Sequence, residues 1–165
     1  MGEQLTPNDV KKIKEEIEYR KVVVRKKELE AVKEARAQGD LSENFEYKAA
    51  KQDKNRNESR IRYLERMIKS ARVIEDRAAD DEVGLFDKVE LYFEEDDETE
   101  TIQVVTTVRC DPLQGRISRE APLGKAVLGK KVGDRVAVTT EDGDAYTVVI
   151  RSICKQEDDG AGSIL

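Results

Sequence analysis

The stretch Ala35–Lys51, ARAQGDLSENFEYKAAK, interrupts a long helical pattern at a glycine and crowds Asp40, Glu43 and Glu46 around the break. Gly39 suits the left-handed position just past a helix end, so the preceding helix is expected to stop near Gln38. Ser42 is a natural N-cap for the next helix, with Glu43 in its first turn, where the helix dipole favours negative charge. A link as short as Asp40–Ser42 forces the two helices to run antiparallel.

Working outward, LTPNDV (residues 5–10) carries the start signals of the first helix. Thr6 serves as N-cap, Pro7 fits the first helical position, and Asp9 follows three residues after the cap. Apolar residues then recur at Val10, Ile13, Ile17, Val24, Leu29, Val32 and Ala35. The spacing is helical, with a slip between Val24 and Leu29 that breaks a strict heptad. Beyond the break, Tyr47, Ala50, Lys54, Asn57, Ile61, Leu64, Ile68 and Ala71 alternate steps of three and four. That is a heptad seam, apolar except at Lys54 and Asn57, whose polarity weakens packing but fixes register. Residues 1–77 therefore read as an antiparallel coiled coil with an acidic tip at 39–47. A helix of roughly 30 residues rises ~45 Å, which sets Asp40 and Glu43 about that far from any globular domain.

From about Asp80 the period changes. KVELYF (88–93) and TIQVVTTV (101–108) read as strands of a hairpin around the acidic EEDDETE (94–100). RVAVTT (135–140) and YTVVIRSI (146–153) are a second pair, joined through EDGDA with Asp142-Gly143 as the turn signal. Between the pairs, Pro122 opens a short helix that Gly129 ends. The fold class is thus α+β with two domains: the coiled coil, then a small antiparallel-sheet domain at 78–155. The tail, 156–165, is expected to be disordered.

Charged residues make up 40% of the 165 and aromatics 5%, which suits an extended coiled coil on a modest core better than one globule. The chain holds no histidine, which excludes imidazole bases and most zinc or copper sites. Any metal chemistry must use oxygen ligands and points to Mg²⁺ or Mn²⁺. Cys110 and Cys154 read as unpaired thiols near strands. No run approaches the roughly 20 apolar residues of a membrane span and no leader opens the chain, so a cytoplasmic protein without membrane association is expected. Residues 1–77 carry 20 Lys and Arg against 16 Asp and Glu, while 78–165 carry 10 against 20. Two halves of opposite charge imply two jobs.

Asp40 and Glu43 admit two readings on spacing alone. They are residues that turns and first helical turns prefer, or they are ligands of a weak Mg²⁺ site that a partner must complete. EARAQGDLSENFEYKAAK, however, resembles the tip of bacterial Gre-type transcript cleavage factors (the GreA/GreB family), whose signature is close to GDLxENAEYxAA. ISREAPLGKAVLGKKVGD, residues 117–134, resembles the second signature of that family. The resemblance runs from Thr6 to about Lys155 in the same order.

It implies an FKBP-like C-terminal domain on the rim of the RNA polymerase secondary channel, with the coiled coil inserted into it. The implied activity is stimulation of Mg²⁺-dependent cleavage of the backtracked nascent RNA 3′ end, by a monomeric accessory factor with no small-molecule substrate. Asp40 and Glu43 match the metal-directing pair. Gly39, Ser42, Asn44, Glu46 and Tyr47 match positions that shape the tip, Phe45 stands among them at a position where the residue differs, and Pro122, Leu123, Gly124 and Lys125 match the polymerase-binding signature. Arg36, Lys48 and Lys51 are candidates for RNA phosphates, or else belong to a solvated helix face; Lys54, on the seam, pairs across the coil or joins them. The acidic hairpin reads as solvated loop or as a steering charge for a basic partner.

Two departures stand out. Phe45 replaces the family's usual Ala, and either stacks on the extruded base, packs on polymerase, or caps the helix end apolarly. Ala121 replaces a usual Ser and loses its hydroxyl. Two rivals remain: a regulator of the same shape that acts without cleavage, and a coiled-coil adaptor or chaperone unrelated to polymerase.

Overall fold

Thr6 and Asp9 start the first helix by a reciprocal pair of bonds. The Asp9 N–H donates to Thr6 Oγ1 at 3.2 Å, and the Thr6 N–H donates to Asp9 Oδ2 at 3.0 Å. A computed structural model of the chain, describing residues 2–38, 44–160 and 162–165, places α1 there, at Pro7–Tyr19. A π-helical turn, Arg20–Val24, leads into α2, Arg25–Ala37, and the returning helix is α3, Phe45–Ser70. The π turn accounts for the slip in the heptad. Its closing bond runs from the Arg25 N–H to the Arg20 carbonyl, and the extra residue rotates the following seam so that Leu29 is exposed. Along α3 the seam lies where the spacing predicts, with Asn57, Ile61 and Leu64 buried; Met67 is buried and its neighbour Ile68 half-buried.

Polar groups lock the register of this pair. Asn57 accepts a bond from Arg20 Nη1 at 3.0 Å and donates Nδ2 to the Arg20 carbonyl at 3.3 Å, the same carbonyl that closes the π turn. Arg60 grips Glu16 with Nε at 2.9 Å and Nη2 at 3.3 Å, and Arg25 meets Glu58. Burial pushes the Glu16 carboxyl up, but the bonds from Arg60 and Arg20 outweigh it and hold the group below its ordinary value.

The chain divides into two units: Val10–Ala71 with the first residues, and Glu3–Asp9 with Arg72–Leu165. The division falls at Ala71 rather than at residue 77. Glu3–Asp9 join the second unit because β1 (Gln4–Leu5) pairs in parallel with β2 (Arg72–Val73).

The second unit is a five-stranded sheet in the order β5-β4-β3-β7-β6, comprising β3 (Lys88–Phe93), β4 (Glu98–Val105), β5 (Arg116–Ser118), β6 (Arg135–Thr139) and β7 (Ala145–Cys154). Both expected hairpins form, but the sheet is mixed, because β5 lies parallel to β4. The strand expected to run to Val108 stops at Val105, where Thr107–Arg109 turn into a 3-10 helix. Alternation is clean in β3: Val89 and Leu91 are buried while Lys88 and Glu90 face out. The short helix α4, Pro122–Val127, adds the fully buried Val127 to the same core. The acidic hairpin is partly tied down, with Glu94 paired to Arg135 through two bonds and Glu95 accepting the Thr147 N–H.

The tail corrects the expectation of disorder. Asp158 is half-buried with its side chain only 8% exposed, Ile164 is buried, and the Leu165 N–H donates to the Val108 carbonyl at 2.9 Å. Cys110 and Cys154 are free thiols. Among the described residues, no helix is long and apolar enough to cross a membrane.

Candidate functional site

The described residues on either side of the break meet through Asn44. Its backbone is extended (φ −86°, ψ 94°), and Oδ1 accepts the Tyr47 N–H at 2.9 Å, which makes Asn44 the N-cap of α3. Its Nδ2 donates at 2.7 Å to the carbonyl of Ala35 in the last turn of α2, which also accepts the Gln38 N–H at 3.3 Å. One amide therefore satisfies the start of one helix and the end of the other. Ser42, expected as the N-cap, is replaced in that role by Asn44, because α3 begins at Phe45. Gly39, Asp40, Ser42 and Glu43 themselves lie outside the described residues.

Around this clamp the cations and rings are arranged in pairs. Arg36 Nη2 donates to Tyr47 Oη at 3.3 Å, and its guanidinium sits 5.5 Å from the centre of that ring. The bond from Arg36 holds the Tyr47 phenol below its ordinary value. The Lys48 ammonium lies 5.7 Å from the centre of the Phe45 ring, and that ring is 80% exposed. Arg36, Glu46, Lys48 and Lys51 are exposed, whereas Lys54 is half-buried on the seam. Chemically the arrangement suits a polyanionic strand: exposed cations for phosphates and an open ring for a base. Among the described residues there is no group of three or more Asp, Glu or Cys able to hold a metal, and the chain has no histidine. The oxygen donors of Asp40 and Glu43 suit Mg²⁺ in kind and fall short of it in number.

The second signature lies on α4. Gly124 is buried, and a Cβ there would stand 2.1 Å from the Ser118 carbonyl oxygen, so the helix approaches β5 as only glycine allows. Pro122 and Leu123 are half-buried and Lys125 is exposed. Ala121 caps α4 with no side-chain bond. The turn is held instead by Ser118, whose carbonyl accepts the Ala121 N–H and whose Oγ accepts the Glu120 N–H.

Sequence reasoning missed Arg109. It is almost wholly buried, and it binds Asp9 Oδ1 at 3.1 Å and both oxygens of Asp158 at 2.9 and 3.0 Å. Its partners lie far away in sequence, so no local pattern announces it.

Two sequence families match the chain in tandem. The one described as transcription elongation factor, N-terminal, covers residues 3–73, and the one described as transcription elongation factor, GreA/GreB, C-term, covers 78–155. The chain belongs to the GreA/GreB family of transcription elongation factors. It is 40% identical over 148 residues to the transcription elongation factor GreA of Bacillus licheniformis, covering 89% of this chain and 94% of that one. To GreA of Geobacillus kaustophilus it is 42% identical over 147 residues, covering 88% and 93%. Among solved structures, the GreA factor homolog 1 protein of Thermus thermophilus aligns over 94% of this chain and 100% of its own, at 27% identity and a TM-score of 0.43. Within this family framework, Asn44 and the Arg36–Tyr47 pair give the tip positions a physical role, and Gly124 gives the second signature a packing reason.

Proposed function

We propose that this elongation factor binds RNA polymerase, inserts its helical pair into the secondary channel, and stimulates Mg²⁺-dependent endonucleolytic cleavage of backtracked nascent RNA, so that arrested complexes resume synthesis. The observation that carries the reading is the Asn44 clamp. It ties the end of α2 to the start of α3, and the five residues between Gln38 and Asn44 include both Asp40 and Glu43. Family membership across both parts of the chain supports the same reading.

Asp40 and Glu43 would hold Mg²⁺ together with ligands from polymerase. When bound, the ion supplies an activated water and charge stabilisation for in-line phosphodiester hydrolysis. The chain's own share is to present two carboxylates and to steady the RNA through Arg36, Lys48 and Lys51. Pro122, Leu123 and Lys125 are offered for contact with polymerase. Because two carboxylates make a weak site alone, cleavage is confined to the complex, and the factor is an accessory to the polymerase's own chemistry rather than a free nuclease.

The test is a backtracked elongation complex given the protein and Mg²⁺, with the RNA 3′ end followed in time. Wild type shortens the RNA, while Asp40→Asn and Glu43→Gln each slow cleavage by about 100-fold or more, the scale of loss when one transition-state electrostatic group is removed. Polymerase binding without cleavage would move the assignment to a non-cleaving regulator of the same shape.

A further inference from the structure

We infer that Phe45 is a stacking platform for the terminal base of the extruded RNA, and so a positioning residue of the tip. The inference rests on the function proposed above and deepens it. Phe45 occupies the first position of α3, directly after the Asn44 cap. A residue there has no part in a hydrophobic staple, which joins the positions before the cap and in the second turn. Phenylalanine is also a poorer helix former than alanine. Nor does the ring fill the seam, which Tyr47 and Ala50 enter instead, for 80% of Phe45 is exposed. Within the fold the ring meets the Lys48 ammonium but keeps most of its surface in water, and an exposed ring carries a hydration cost.

Its surroundings indicate what would cover it. Lys48 sits 5.7 Å from the ring centre and can shade only one face. The next exposed cations, Lys51 on α3 and Arg36 on α2, flank the same end of the helical pair. A ring beside several cations matches single-stranded nucleic acid, in which phosphates and bases alternate: the cations meet the phosphates and the ring meets a base face. An apolar protein surface would use the ring but offer the exposed Lys48 and Lys51 no anionic partner. Base stacking also fits an RNA end of any sequence, because every base has a π face.

The experiment uses the full chain on a backtracked elongation complex whose extruded RNA 3′ nucleotide is 2-aminopurine, which loses emission when stacked. Cleavage is blocked by an Asp40→Asn/Glu43→Gln background. The expected result is quenching by this protein, loss of quenching when Phe45→Ala is added, and its return with Phe45→Trp. In the cleavage-competent chain, Phe45→Ala lowers the cleavage rate about five- to 150-fold, the range that one stacked base supplies. Removing the terminal base costs wild type a similar factor and costs Phe45→Ala nothing further. Its unfolding temperature stays that of wild type, since the ring is exposed.

Quenching that survives Phe45→Ala, or no quenching by the parent protein, overturns the proposal. Losses that add, with base removal hurting wild type and Phe45→Ala alike, overturn it in favour of packing on protein. Quenching that depends on Phe45 in a protein whose wild type fails to cleave leaves the stacking in place and removes the cleavage function.

Discussion

Asn44 does with one amide what two residues usually share. Its oxygen caps α3 and its nitrogen covers the Ala35 carbonyl at the end of α2. The two functions separate by substitution. Asn44→Ala removes both, at a cost of about 1 kcal/mol for the cap and about 1 kcal/mol for the donated bond. Asn44→Asp keeps an acceptor for the Tyr47 N–H but sets a carboxylate against the Ala35 carbonyl. Amide hydrogen exchange reads the difference: Asn44→Ala speeds exchange at Tyr47, while Asn44→Asp leaves that amide protected and still lowers the unfolding temperature. Equal exchange at Tyr47 in all three proteins would remove the clamp from the account. Ser42 and Asn44 are both good caps, and local sequence offers no way to choose between them. Asn44 is set apart by a contact nine residues upstream, because its amide nitrogen donates to the Ala35 carbonyl while its oxygen caps α3.

Among the elements, those with a strong period were legible and those fixed by contact were not. The α3 seam and both hairpins follow from steps of three and four and from alternation. The π turn showed in the sequence only as a slip, since its cause is the Arg20 carbonyl serving both Arg25 and Asn57. Strand β5 spans only Arg116–Ser118 and pairs in parallel, so neither alternation nor a hairpin signal marks it. The approach of α4 to β5 is equally a matter of contact, and it makes Gly124 testable. A methyl group there meets the Ser118 carbonyl oxygen, a backbone atom that cannot swing aside. Gly124→Ala is expected to destabilise the chain by about 1–3 kcal/mol through overpacking, despite the better helix propensity of alanine. Urea denaturation checks it: the midpoint falls with the slope unchanged, and a midpoint at or above wild type would mean that α4 shifts freely.

At the scale of the whole chain, Arg109 gathers three distant segments of the second unit. Asp9 reaches it from the N-terminal segment and Asp158 from the tail, and Arg109 itself follows β4. Its guanidinium also lies 5.0 Å from the centre of the Phe86 ring, a residue held at a φ of 68°. Thr106 Oγ1 donates to Asp9 at 2.7 Å, so the buried carboxylate is met from several sides. The tail's polar composition reads as disorder because composition counts charges without their partners, and here the partner lies 49 residues away. The Asp158 carboxyl is pushed up by burial, but the bonds from Arg109 and the Gly160 N–H outweigh that and hold it below its ordinary value. A carboxyl lowered in the folded state contributes stability above the unfolded value of about 3.9, and this is lost as pH falls through the folded value. Removing one partner of a buried ion pair costs roughly 3–5 kcal/mol. Asp158→Ala is therefore expected to lower stability by about that amount at pH 7. As the medium is acidified below about pH 4, the wild-type and variant curves of unfolding free energy should converge, because wild type then loses the charge that the variant never had. Curves that stay parallel from pH 7 to pH 2 would show that Asp158 acts by packing alone. Convergence would establish that the tail is fastened to the folded unit by its charge.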